Sequence, residues 1–186
     1  MGVATLNQQR QRAVFLDRDG VIIKALVRNG KPYPPSTLEE VVIPEGVDDA
    51  LERLSQAGFI LVGITNQPDV ARGTQKREVV ELINNLLVSK LPILEFKVCY
   101  HDDNDHCECR KPNPGLLLQA AYENQIELTS SFMVGDRWKD IEAGRRAGCV
   151  SIWIDRGYIE QKPNLPNAYR VNSLSGAVEI ILQSLI

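Results

Sequence analysis

Four short apolar runs and one mixed segment at 93–98 (Ile-Leu-Glu-Phe-Lys-Val), each ending in a polar loop, constrain this chain more than any other feature. They lie at 13–16, 59–64, 93–98, 132–134 and 150–154. Continuous apolar runs of this length read as strands buried on both faces. Helical patterns fill the gaps. Pro44 opens one, with Val47, Leu51 and Leu54 at helical spacing and a stop at Gly58. Thr74 is placed to cap a second, running to Ser89 with Val79, Leu82, Ile83, Leu86 and Leu87 inward. Pro114 begins a third, with Leu117, Leu118 and Ala121 on its inner face. A fourth runs from Lys139 to Ala147 before Gly148, and a last one carries Val178, Ile181 and Leu185. Strand and helix in alternation predict an α/β fold, a doubly wound parallel sheet of about five strands with helices on both faces. Ligands of such sheets sit beyond the carboxyl ends of the strands.

At 186 residues the chain is expected to form a single domain, with residues 1–11 as a loose tail and no large cap domain. The three prolines at 32, 34 and 35 break regular structure in the 20–43 segment. A net charge of −3 argues against bulk electrostatic binding of nucleic acid. No signal-like leader or membrane-length apolar run is seen, so a cytoplasmic protein without membrane contact, a monomer or weak oligomer, is expected.

The polar loops carry the chemistry. Asp17 and Asp19, in Asp17-Arg18-Asp19-Gly20-Val21, repel each other unless a divalent cation or a proton intervenes. Mg²⁺ favours such oxygens, and one carboxylate can attack phosphorus while the other moves protons. Taken alone, the segment reads more readily as a polar turn with a glycine. Asp136 follows another apolar run in Gly135-Asp136-Arg137-Trp138-Lys139-Asp140, where Asp140 suits a helix N-terminus. Thr65 and Asn66 close the second run, where a hydroxyl and backbone N–H groups can hold phosphate oxygens. Arg110 and Lys111 offer a fork and a point charge for phosphoryl groups. Cys99, His101, Cys107 and Cys109 supply three thiolates and an imidazole, the donor set of a closed zinc site. Cys149 reads as a core thiol.

The order of these blocks resembles the haloacid-dehalogenase-like (HAD) phosphohydrolases. DRDGVI, TNQ followed by ARG, CRKP-P-G and GDRWKDIEAG resemble the short, cap-less branch containing heptose-bisphosphate 7-phosphatases and histidinol-phosphate phosphatases. The resemblance implies a phosphatase that forms an aspartyl-phosphate on Asp17, with Asp19 as acid and base. It implies Mg²⁺ held by Asp17, the Asp19 carbonyl and Asp136. Thr65 and Lys111 would steady the phosphoryl group, with Arg110 and Arg137 holding the substrate. The branch also carries a Cys-x-His…Cys-x-Cys zinc loop here, which favours His101 over the adjacent His106. Heptose 1,7-bisphosphate is the expected substrate and histidinol phosphate the alternative. A phospho-accepting receiver module is the competitor from another class, but its pattern lacks the second carboxylate and the zinc loop. Two stretches depart from the branch: the longer, proline-bearing 22–40 segment, and Pro68-Asp69-Val70 where Ser-Gly-Ile is usual.

Overall fold

The computed structural model describes residues 10–164 and 168–185. Its main sheet contains β1 (Arg12–Leu16), β4 (Phe59–Asn66), β5 (Glu95–Cys99), β6 (Phe132–Gly135), β7 (Val150–Ile154) and β8 (Ala168–Val171). The strand order is β5-β4-β1-β6-β7-β8, and every neighbouring pair is parallel. The sheet therefore has six strands rather than about five. Two further strands, β2 (Leu26–Arg28) and β3 (Lys31–Tyr33), form a separate antiparallel hairpin. Regular structure thus exists inside the 20–43 segment despite its prolines, because Pro32 sits on a two-stranded ribbon where its missing N–H is tolerated.

Side-chain alternation along β1 divides the interior in two. Val14 and Leu16 pack with α1 (Val47–Gln56), α2 (Arg77–Lys90) and α5 (Leu174–Gln183). Ala13 and Phe15 pack with α3 (Gly115–Glu123) and α4 (Trp138–Ala147). All four of these β1 side chains are fully buried, which is why the strand reads as one unbroken apolar run.

Several helix details differ from the sequence reading. Helix α1 starts at Val47, not Pro44, whose carbonyl instead accepts from the Val47 N–H. Thr74 does not cap α2; its hydroxyl donates to the Asp69 carbonyl, and Lys76 occupies the cap position. Leu82 and Leu118 point outward, and the inner faces are built from Val80, Ile83 and Leu87 and from Leu116, Leu117 and Ala120. Leu185 lies beyond the end of α5 and is exposed. Residues 1–9 of the expected tail lie outside the described residues, but Gln11 is held, pairing through its backbone with Gln125 and Glu127. No helix among the described residues is long and apolar enough to cross a membrane.

The chain fills β4 and β5 on one side of β1, then crosses back to β6, β7 and β8 on the other. The resulting crevice opens at the carboxyl end of β1, flanked by the ends of β4 and β6.

Candidate active site

Asp17 follows β1 directly, and its N–H donates to the Val134 carbonyl of β6, 2.9 Å away. Lys111 reaches it from the loop before α3. The Lys111 ammonium donates to Asp17 Oδ1 at 2.7 Å and to the Ile64 carbonyl at 2.7 Å, and pairs with Asp140 Oδ1 at 2.6 Å. Asn66 fixes the same loop at its backbone, accepting from the Lys111 N–H and donating to the Lys111 carbonyl. The end of β4 thus positions a lysine 45 residues downstream.

Asp136 follows β6. Tyr158, from the loop after β7, donates its hydroxyl to Asp136 Oδ2 at 2.8 Å, and Trp153 Nε1 donates to the Asp136 carbonyl. Asp136 Oδ1 is buried and has no hydrogen-bond partner. Gly20 lies against this carboxylate with φ of +95°; a Cβ there would meet Asp136 Oδ2 at 1.8 Å. Only glycine allows both that backbone conformation and that approach.

Carboxylate oxygens of Asp17, Asp136 and Asp140 all come within 4.8 Å of one another. Three carboxylates face one ammonium, Lys111, so the cluster is short of positive charge. Burial pushes the Asp17 carboxyl up to about 7, against the pull of Lys111 and with help from Asp140 and Asp19. Burial also raises Asp136 well above the carboxylate range, reinforced by Asp17 and Asp140. Lys111 is raised despite its burial, because Asp140 and Asp17 flank it. An orphaned carboxylate oxygen beside an excess of acid fits a divalent, oxygen-seeking cation such as Mg²⁺. Both oxygens of Asp140 already have partners, Oδ1 in Lys111 and Oδ2 in the Arg137 N–H, whereas Asp136 Oδ1 has none.

Asp19 presents its carboxylate at the rim of the same cavity, about 150 Å³ in volume. The Gln67 amide donates to Asp19 Oδ2 and to Thr65 Oγ1, both at 2.8 Å. The carboxylate of Asp19 lies outside the three-acid cluster. Tyr33 and the prolines on either side of it bring the β2–β3 hairpin to the cavity wall. Gly30 in the hairpin turn, at φ +73°, lies against Ile159, whose N–H donates to the Gly30 carbonyl.

Cys99, His101, Cys107 and Cys109 converge as the sequence spacing predicts, with donor atoms within 4.8 Å of one another. The Cys109 sulfur is 3.3 Å from those of Cys99 and Cys107, and 3.2 Å from His101 Nδ1. Thiolates about 2.3 Å from a tetrahedral zinc would stand roughly 3.8 Å apart, so the cluster fits the ion with a small expansion. His106 is not in the cluster; it ends the short turn at Asp103–Asp105 in a left-handed conformation. Cys149 is buried away from the cluster, and burial pushes its thiol up to about 12.

The structure thus brings Asp17, Asp19, Thr65, Asn66, Lys111 and Arg137 to one cavity, with Asp136 beside them. Arg110 goes elsewhere: its guanidinium donates to Asp103 Oδ1 at 2.8 Å and to the His101 carbonyl, bracing the cysteine loop. Arg137 lines the cavity but is forked onto Glu160. Asp140, Gln67, Tyr158 and Glu160 were not singled out as site residues from sequence. The spacing Asp136-x-x-x-Asp140, which folds the second acid back over the first turn of α4, was the available signal for one of them.

A parallel sheet of this order, with an Asp-x-Asp loop on its central strand and a lysine and a second acid on flanking loops, defines a HAD-like phosphohydrolase. A family model described as HAD-hydrolase-like matches residues 108–177. The D-glycero-beta-D-manno-heptose-1,7-bisphosphate 7-phosphatase of Helicobacter pylori strain 26695 is 37% identical over 142 residues, 73% of this chain and 79% of that one. The alpha-anomer 7-phosphatase of Photorhabdus laumondii is 32% identical over 182 residues, covering 91% and 96%. The crystal structure of D,D-heptose 1,7-bisphosphate phosphatase from B. bronchiseptica, complexed with magnesium and phosphate, matches with a TM-score of 0.77. It is 26% identical, over 93% of this chain and 99% of that chain. The chain belongs to the heptose-1,7-bisphosphate 7-phosphatase family of HAD-like phosphatases.

Proposed function

We propose that this phosphatase removes the 7-phosphate of D-glycero-D-manno-heptose 1,7-bisphosphate through a covalent phosphoenzyme on Asp17. An Asp17 oxygen attacks phosphorus while Asp19 gives a proton to the departing sugar O7. Asp19 then takes a proton from water, whose oxygen attacks the phosphorus and returns Asp17 as a carboxylate. Lys111 and the Thr65 hydroxyl orient the phosphoryl oxygens, and Asp140 keeps Lys111 ionised and aimed at Asp17. Mg²⁺ held by Asp17, the Asp19 carbonyl and Asp136 would neutralise charge on the phosphoryl group. Zn²⁺ held by Cys99, His101, Cys107 and Cys109 would have a structural part, fixing the loop that delivers Lys111.

The observation that carries this reading is the cluster of Asp17, Asp136, Asp140 and Lys111 in a chain of this family. Arg72, Arg137 and Lys139 line the cavity, each paired with a carboxylate, and a second phosphate on the substrate would take the place of one of those carboxylates. A thiolate-rich zinc site suits a reducing compartment, hence the cytoplasm, and residues 1–186 would work as one domain.

Phosphate release over a panel of phosphorylated metabolites with Mg²⁺ tests the substrate. Both anomers of heptose 1,7-bisphosphate are included, and the preferred one should exceed histidinol phosphate in kcat/KM by at least about 10²-fold. Equal or higher kcat/KM on histidinol phosphate would overturn the assignment.

A further inference from the structure

Arg18 stands between the two motif aspartates, yet its side chain is fully buried. A buried guanidinium needs acceptors, and their identity shows what the residue is for. Nε lies 3.2 Å from both oxygens of Asp19, and Nη2 donates to Asp19 Oδ2 at 3.0 Å. Nη1 donates to Asn84 Oδ1 at 2.9 Å, on α2. Asp19 Oδ2 also accepts from Gln67, whose amide reaches Thr65. The donors thus gather on Oδ2. Oδ1 takes a single contact, the long one from Nε, and is the freer oxygen of a side chain that opens into the cavity.

We propose that Arg18 is a positioning residue: seated on Asn84, its guanidinium fork locks the Asp19 carboxylate by Oδ2 and leaves Oδ1 to transfer the proton. Gln67 completes the lock and ties it to Thr65. The inference rests on the reading of Asp19 as acid and base. It goes beyond that reading by assigning the aim of Asp19 to a side chain on the hidden side of the loop. A lysine cannot replace the fork, because a point charge holds one oxygen without fixing the carboxylate plane.

The consequence is specific to proton transfer. Attack on p-nitrophenyl phosphate needs little help at the leaving oxygen, whereas attack on an alkyl phosphate and breakdown of the phosphoenzyme both need Asp19. Arg18→Lys should therefore give a full pre-steady-state burst of p-nitrophenolate, followed by steady turnover slower by about 10-fold or more. On the alkyl substrate, kcat should fall at least as far while KM stays within about twofold. Asn84→Ala removes the acceptor of Arg18 Nη1 while leaving the guanidinium itself in the protein. It should show the same pattern, more weakly.

Asp19→Asn is the reference. Loss of burst and steady rate in equal proportion in both Arg18→Lys and Asn84→Ala, while Asp19→Asn keeps its burst, would overturn the positioning role. It would leave the acid/base reading standing. Wild-type turnover in Asp19→Asn would instead overturn that reading itself. Melting temperature and the affinity for inorganic phosphate are measured in parallel. An unfolded Arg18→Lys leaves the decision to Asn84→Ala, and a wild-type burst-to-steady ratio in that variant would sink the proposal.

Discussion

The Lys111 ammonium lies 2.7 Å from Oδ1 of Asp17, and both side chains are almost completely buried. The lysine is also two residues from Cys109, so one short segment joins the cysteine cluster to the proposed nucleophile. The same ammonium is the one cation bonded to both Asp17 and Asp140 among the described residues.

Lys111→Met is expected to be severe in two separable ways. It strands buried carboxylates, and breaking such a pair from one side costs about 3–5 kcal/mol. Added Mg²⁺ should restore part of that loss, because it supplies charge to the same acids. Urea denaturation with and without Mg²⁺ is the check. An unchanged midpoint would show that Lys111 does not hold the cluster together.

The cysteine loop should carry about one zinc per chain, measurable by metal analysis of protein prepared without added zinc or chelator. In that state no thiol should react quickly with a disulfide reagent, since three are metal-bound and burial pushes Cys149 up to about 12. Chelation should expose three. Cys109→Ser should lose the zinc and lower stability. Its catalytic effect should come through Lys111, where a displacement of about 1 Å can cost on the order of 10²-fold. Native protein with four freely titrating thiols would rule the zinc site out.

Ca²⁺ should replace Mg²⁺ poorly. It takes more oxygens at longer distances, and both oxygens of Asp17 would then be drawn to the ion and away from phosphorus. Substitution should lower kcat by at least about 10-fold and leave substrate affinity less affected. Full activity in Ca²⁺ alone would contradict a tight octahedral site on Asp17 and Asp136.

The hairpin gives a prediction about selectivity. Tyr33 reaches the cavity wall from β3, outside the motif segments that supply Asp17, Asp19, Thr65 and Lys111 to the same cavity. Tyr33→Ala should raise KM for the heptose bisphosphate by roughly 10-fold, the scale of one lost packing contact of about 1.4 kcal/mol. Turnover of p-nitrophenyl phosphate should hardly change. Equal effects on both substrates would move Tyr33 from recognition to support of the fold.

What the sequence reveals depends on how local the deciding physics is. β1, β4, β6 and β7 are legible because strands buried on both faces must be apolar throughout. β8 and the hairpin are not, because Ala168–Val171, Leu26–Arg28 and Lys31–Tyr33 are short and largely solvent-facing. Leu82 and Leu118 mislead because a leucine on the outer face of a helix continues an apolar pattern that does not mark the core. At the site, the identities of Asp17, Asp136 and Lys111 are legible from motif order, but the direction of Arg110 is not. Asp103, on the acidic turn seven residues earlier, draws its guanidinium away from the cavity. Asp140 is readable as an acid in the first turn of a helix, where it accepts from the backbone of the cap residue Arg137; its second partner, Lys111, depends on the tertiary fold.

The most direct test of the account is ³¹P NMR of heptose 1,7-bisphosphate incubated with Mg²⁺ and either the wild-type chain or Asp17→Asn. An amide cannot attack phosphorus, so the variant should fold normally and leave the substrate signals unchanged. The wild type should convert the 7-phosphate signal to inorganic phosphate and retain the 1-phosphate. Loss of the 1-phosphate instead, or product formation by Asp17→Asn at the wild-type rate, would contradict the account.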